Sequence, residues 1–237
     1  MRFFDAHCHL PCDRNFSGVF ANANTAGVVG CAINSVVMDD WVHIVDFITH
    51  SKNTRGAIGI HPWYIDTVRP TWHAEMCAIL DENPDLMVGE IGLDKSHDDF
   101  ESQEKLFISM VEIAIKYNRT INLHCVHAWD RVLEIFKTYR GALPRIIAHG
   151  FDGNQNAIGF DADMYFSYSP RITNSKHKRA RESLLSVPKN KILAESDGDN
   201  LLKTVNAASS ICTIRADISV DDIFQNSAMA FFNGQIA

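Results

Sequence analysis

Hydrophobic residues along the chain fall into short, nearly continuous runs, separated by longer stretches in which apolar positions recur every three or four residues. Eight runs stand out, at residues 2–8, 27–36, 55–61, 85–91, 119–125, 144–150, 162–168 and 190–197, each rich in Val, Ile, Leu or Phe and mostly bounded by Gly, Pro, Asn or Asp. Runs this short and this apolar predict strands covered on both faces, as in a parallel sheet. The stretches between them predict helices near 40–52, 71–82, 100–117, 127–139, 174–186 and 221–233. Asp98 or Asp99 is placed to cap the helix at 100–117 and Asn174 the helix at 174–186, while Ser219 with Asp222 forms a capping-box pattern ahead of Ile223. Residues 10–25 and 151–161 are weakly patterned and predict a loop or an abbreviated helix.

Eight βα units in 237 residues predict an α/β fold, a TIM-type (β/α)8 barrel, with an open doubly wound sheet as the alternative. No linker, low-complexity tract or repeat interrupts residues 1–237, so a single domain is expected. The polar residues that end the runs favour the barrel, because a barrel assembles its active site from the C-terminal ends of several strands. The first run ends in His7 and His9, the fourth in Glu90, the fifth in His124, the sixth in His149 and the eighth in Asp197. Each alone has a plain explanation, a hydrogen bond or a helix cap; on a closed barrel they meet at one rim. In an extended strand Phe3, Asp5, His7 and His9 share one face, so the two imidazoles can grip one cation while Asp5 fixes a ring tautomer. Four imidazoles and two carboxylates exceed the needs of one ion and suit two, with hydrolysis by activated water as the natural chemistry.

Composition narrows the partners. Net charge is -7 with a pI near 5.8, which opposes extended binding to duplex DNA and leaves a nucleic-acid end or a small phosphorylated substrate held locally. The six cysteines show no CxxC pair and predict free thiols in a reducing compartment. With no apolar stretch long enough to span a membrane and no signal-peptide pattern, the expected setting is cytoplasmic, away from membranes, and the expected state a monomer. The chain has no glycine-rich phosphate loop ending in Lys-Ser or Lys-Thr and no Gly-x-Ser-x-Gly elbow, which argues against nucleotide-triphosphate and serine-hydrolase chemistry.

Asp5-Ala6-His7-Cys8-His9-Leu10, Gly59-Ile60-His61-Pro62-Trp63, Val88-Gly89-Glu90-Ile91-Gly92-Leu93-Asp94, His149-Gly150-Phe151-Asp152-Gly153 and Ala194-Glu195-Ser196-Asp197 form an ordered set. As a set they resemble the TatD family of metal-dependent hydrolases and deoxyribonucleases, amidohydrolase-like barrels, nearly end to end. The resemblance implies two divalent ions, zinc, magnesium or manganese, held by His7 and His9 on one side and His124 and His149 on the other, with Glu90 bridging. It implies further that Asp197 binds the first ion and orients or deprotonates the attacking water, that His61 contacts a substrate phosphate or anchors its own loop, and that the reaction is cleavage of phosphodiester bonds at DNA ends. Two departures point away from the family pattern. Val126 stands two residues after His124 where the family commonly has arginine, and Gly198-Asp199 follow Asp197 in place of Ala-Pro. Val126 and the acidic net charge favour, as the alternative, a related hydrolase of a small amide, lactone or phosphomonoester; a non-catalytic metal-binding scaffold is the remaining reading. Lys95 and the basic run Lys176-His177-Lys178-Arg179-Ala180-Arg181 read as solvated surface, His127 as a backup to the site ranked below the other histidines, and Glu195 as a hydrogen-bonding neighbour of the ligands.

Overall fold

The apolar runs pair edge to edge in sequence order. In the computed structural model, which describes residues 1–236, the strands are β1 (Phe3–His9), β2 (Val28–Asn34), β3 (Thr54–Ile58), β4 (Met87–Asp94), β5 (Ile121–Val126), β6 (Ile146–Ala148), β7 (Met164–Tyr168) and β8 (Ile192–Ala194). All neighbours are parallel, in the order β1 to β8. Just beyond β8 the ring is drawn together: the Asp197 amide donates to the His7 carbonyl and the His9 amide to the Gly198 carbonyl, both at 3.0 Å. This is the (β/α)8 barrel that the run count predicts.

The helices are α1 (Phe16–Thr25), α2 (Trp41–His50), α3 (Trp72–Glu82), α4 (Phe100–Tyr117), α5 (Trp129–Thr138), α6 (Gln155–Ile158), α7 (Lys178–Ser186), α8 (Lys203–Ile214) and α9 (Val220–Phe232). Asp99 caps α4 by accepting from the Ser102 amide, and Ser219 and Asp222 cap α9 reciprocally. Three differences from the sequence pattern have local causes. Residues 16–25 form a full helix. Asn174 is not a helix cap: its Oδ1 accepts from the Lys176 amide and shapes a turn ahead of α7. α8 escapes hydropathy because its buried stripe is Thr204, Ala207, Ala208 and Ile211, correctly spaced for a helix but small or polar.

Side chains inside the barrel sort by height. Phe4, Ala6, Ala32, Ala57, Met87, Ile147, Tyr165 and Leu193 form a cluster with Phe224, Ala230 and Phe231 of α9, so the N-terminal mouth is packed shut. Phe4 and Phe231 stack with ring centres 5.0 Å apart. Arg55 donates to the Phe231 carbonyl at 3.0 Å and Arg145 to the Met229 and Ala230 carbonyls at 2.8 Å, which satisfies oxygens left unpaired at the C-terminal end of α9. Polar groups are thereby left to the opposite mouth.

Two one-residue bulges aim them there. Between Asp5 and Cys8 strand β1 advances three residues while β2 advances two, and between Val88 and Ile91 strand β4 advances three while β5 advances two. An extra residue reverses the alternation of faces beyond it. Ala6 faces the interior cluster and Cys8 the outer one, and Met87 and Val88 divide likewise, so the bulges turn His7 and Glu90 inward. The expectation that Phe3, Asp5, His7 and His9 share a face is therefore corrected. Phe3 packs outward under the helices, and Asp5 accepts from the Thr204 hydroxyl of α8 at 2.5 Å. No helix among the described residues is long and apolar enough to cross a membrane.

Candidate metal centre

Glu90 is the hub of the C-terminal mouth. It is 1% exposed, and its two oxygens face different histidines. Oε2 lies 3.3 Å from His7 Nε2 and 3.5 Å from His9 Nε2; Oε1 lies 2.6 Å from His149 Nε2, 2.8 Å from His124 Nδ1 and 3.5 Å from His61 Nε2. Burial alone would raise the Glu90 pKa, yet the fields of His149, His61 and His7 hold it well below the usual carboxylate range. Asp197 completes the group: ligand atoms of His7, His9 and Asp197 lie within 4.8 Å of one another. All six ligand candidates from the strand ends thus converge, together with His61.

Partners behind the rings fix which nitrogen is free. His9 Nδ1 donates to the Asn34 carbonyl at 3.1 Å and His7 Nδ1 to Asn122 Oδ1 at 3.0 Å, leaving both Nε2 atoms unprotonated. Those two Nε2 atoms are only 3.1 Å apart. Lone pair facing lone pair beside a carboxylate is repulsive until a positive charge joins them, and Glu90 Oε2, which accepts no hydrogen bond, points at the same spot. On the other side His124 Nδ1 and His149 Nε2 are 3.1 Å apart, with His124 Nε2 donating to Asp94 Oδ2 at 3.3 Å. Nitrogen and oxygen donors of this kind suit a divalent transition metal or magnesium. The residues present therefore fit divalent ions.

His61 behaves differently from the other four. Its Nδ1 accepts from the Trp63 amide at 3.1 Å, so the neutral ring carries its proton on Nε2, which faces Glu90 and His124. Burial pushes its pKa down to about 3, against the pull of Glu90 and with the help of His124 and His149. A ring with Nδ1 accepting and Nε2 protonated has no lone pair to offer an ion; it is a hydrogen-bond donor aimed into the site. The loop-anchoring and site-facing readings of His61 are thus compatible, one on each nitrogen.

Several contributors are not apparent as site residues in the sequence. Asp94 accepts from Trp63 Nε1 at 2.7 Å, from the Ser96 amide at 2.8 Å and from the Ser96 hydroxyl at 2.5 Å, besides His124. Burial opposes its ionisation, but these donors hold its pKa well below the ordinary value, while Asp94 and Glu90, outweighing burial, push His124 up to about 9. Asp94 closes the Gly89 to Asp94 block, where its place at a strand end is a usable signal; Asn122, two residues before His124, carries none. Asp5 does not touch an imidazole ring, correcting its expected role. It accepts from the His7 and Ser196 amides at 3.2 and 2.9 Å and braces β1 against the segment after β8, with burial pushing its pKa up to about 6. Glu195 accepts from the Gly150 amide at 2.7 Å and from the Ser167 hydroxyl, and burial with the nearby Asp197 carboxylate raises its pKa well above the usual range.

Asp197 adopts φ 53°, in the left-handed region that Asp tolerates better than most side chains. Burial disfavours its charge, but His149 and His7 outweigh that and keep its pKa below the ordinary carboxylate value. The centre forms the floor of a cavity of about 410 Å³, walled by Trp63, Tyr64, Ser96, Val126 and Arg171.

The chain is similar to known nucleases and metal-dependent hydrolases. The chain is 24% identical over 189 residues to the 3'-5' ssDNA/RNA exonuclease TatD of Salmonella typhimurium, covering 78% of this chain and 73% of that one. It is 25% identical to an uncharacterized metal-dependent hydrolase of Haemophilus influenzae, covering 91% and 92% of the two chains. In fold it superposes on the crystal structure of YJJV, a TatD homolog from Escherichia coli, with a TM-score of 0.87 at 21% identity over 98% of each chain. The family model described as TatD related DNase matches residues 4–211, a span holding every side chain gathered around Glu90, and the chain belongs to that family.

Proposed function

We propose that the chain acts as a single TatD-like barrel, a hydrolase that cleaves phosphodiester bonds at the end of a single-stranded nucleic acid, DNA first, with two divalent ions at the mouth. The observation that carries this reading is the division of Glu90, one oxygen toward His7 and His9 and the other toward His124 and His149. That division suits a bridging carboxylate, with His7, His9 and Asp197 holding one ion and His124 and His149 the other. Zinc, magnesium and manganese all suit such a donor set. Bound divalent ions there supply Lewis acidity toward a phosphoryl oxygen and lower the pKa of a water molecule.

The chain's own groups supply the rest. Asp197, ionised at neutral pH, accepts the proton of the attacking water at its carboxylate and directs that water's lone pair toward phosphorus. His61 Nε2–H donates to an oxygen of the substrate phosphate, its direction set by the Trp63 amide behind it. Asn122, the Asn34 carbonyl and Asp94 hold three imidazole tautomers so that none reorganises during the reaction. Val126, an aliphatic wall of the cavity, favours the second reading, a smaller ester, amide or lactone substrate.

The test is release of nucleotides from labelled single-stranded DNA by chelated protein and by protein resupplied with magnesium, manganese or zinc, with Glu90→Ala alongside and a small phosphodiester as a parallel substrate. Cleavage restored by metal and absent from Glu90→Ala supports the reading. Binding of metal without DNA cleavage, but with turnover of the small ester, transfers it to the second.

A further inference from the structure

The basic run at residues 176–181 is the sequence feature that the metal centre leaves unused. It spans the turn that follows the cavity residue Arg171 and the first residues of α7. Arg171 is the only lysine or arginine lining that cavity, whose walls also carry the carboxylates Glu90, Asp94 and Asp197. Among the described residues it is also the only arginine whose guanidinium meets no carboxylate, carbonyl or aromatic ring. Every other one is engaged: Arg14 with Asp40, Arg131 with Glu104, Arg215 with Asp217, and the rest likewise.

The backbone beneath Arg171 is fixed even though its side chain is free. Ile172 is buried, its carbonyl accepts from Arg181 at 2.6 Å, and two successive turns follow, with the Asn174 amide on the Arg171 carbonyl at 3.0 Å and the His177 amide on the Asn174 carbonyl at 3.1 Å. The second turn holds Lys176 and leads into Lys178 at the start of α7, both exposed and without a carboxylate partner, a few residues from Arg171. One acid faces this segment, Asp152 at 4.0 Å from Arg179. A free planar fork of donors at the edge of the cavity is suited to grip a phosphate on two oxygens. Two unpaired lysines close behind suit the next phosphates of the same strand.

We propose that Arg171 is the phosphate-gripping residue of the cavity and that Lys176 and Lys178 extend the grip along a single nucleic-acid strand, so that this loop sets the preference for a polynucleotide over a lone phosphate ester. This rests on the nuclease reading above. Binding of a fluorescent oligothymidylate of about ten nucleotides is followed by anisotropy against salt in a chain carrying Asp197→Asn, which separates binding from turnover. Adding Arg171→Ala weakens binding about tenfold and lowers the slope of log affinity against log salt by about 0.7, the value for one phosphate contact to a single strand. Arg171→Lys keeps the slope but recovers only part of the affinity, because the charge returns without the fork. Lys176→Ala with Lys178→Ala lowers the slope by about 1.4. In the active chain Arg171→Ala raises KM for DNA more than it lowers kcat. Unchanged affinity and slope in Arg171→Ala, in a protein whose unsubstituted form cleaves DNA, overturns this assignment and leaves the nuclease reading standing. An unsubstituted chain that neither binds nor cleaves the oligonucleotide overturns both.

Discussion

Asn122 Oδ1 lies 3.0 Å from His7 Nδ1, and this contact from β5 to β1 across the barrel decides which nitrogen His7 turns toward Glu90. Both residues are fully buried. Asn122→Leu keeps the volume and removes the acceptor, so the His7 proton is no longer confined to Nδ1. Loss of such an outer partner lowers metal affinity by about 10–100-fold. Calorimetric titration of the chelated variant with zinc or manganese checks this, and unaltered affinity removes Asn122 from the site.

The Asp94 carboxylate accepts four hydrogen bonds and donates none. Asp94→Asn, nearly isosteric, must set its amide group against Trp63 and His124 or against Ser96, all of them donors. The expected cost is about 1–3 kcal/mol of stability for the groups left unpaired, accompanied by weaker metal binding as His124 loses its Nε2 acceptor. Chemical denaturation measures the first and metal titration the second. A variant as stable as the parent would mean that Asp94 is not held as an ionised acceptor.

The barrel and the cluster of candidate ligands are legible because both are written in short-range pattern. Apolar runs gave the strands, and a polar residue at the end of a run gave each candidate, from His7 and His9 through Asp197. What pattern could not carry was the pair of bulges. Strict alternation puts Asp5 on the face of His7, whereas the extra residue between Asp5 and Cys8 turns His7 inward and leaves Asp5 outward with Thr204. Nor could it carry long-range partners: Asn122 is a polar residue inside an apolar strand until His7 is known to face it, and α8 hides its buried face in alanines and a threonine.

Chelation tests how far the buried donors depend on a cation. His7 and His9 hold their Nε2 atoms 3.1 Å apart, and Glu90 Oε2 accepts no hydrogen bond, an arrangement that a cation would relieve. Metal at a hundredfold excess over its Kd stabilises the folded state by about 2.7 kcal/mol. For a domain of this size that is about 5–10 °C in Tm. Scanning calorimetry of chelated and resupplied protein checks it. Glu90→Gln shrinks the difference, because an amide cannot serve both pairs of histidines as a carboxylate does.

Asp163 gives a pH dependence remote from the metal centre. It lies 2.8 Å from Arg145 and within hydrogen-bond distance of Lys191, and although burial works against its charge, these two cations hold its pKa below the ordinary value of 3.8. A depressed carboxylate pKa means that the unfolded chain binds its proton first as pH falls. The stabilisation is therefore present above pH 3.8 and lost below it, as pH falls through the folded-state pKa. The side chain is 42% exposed, so solvent screening limits the contribution to less than about 1 kcal/mol. Denaturant midpoints of the parent and Asp163→Asn, compared from neutral pH downward, should differ at neutral pH and converge in acid. A gap that stays constant across that range would show that Asp163 acts through packing against Arg145 and Lys191 and not through its charge.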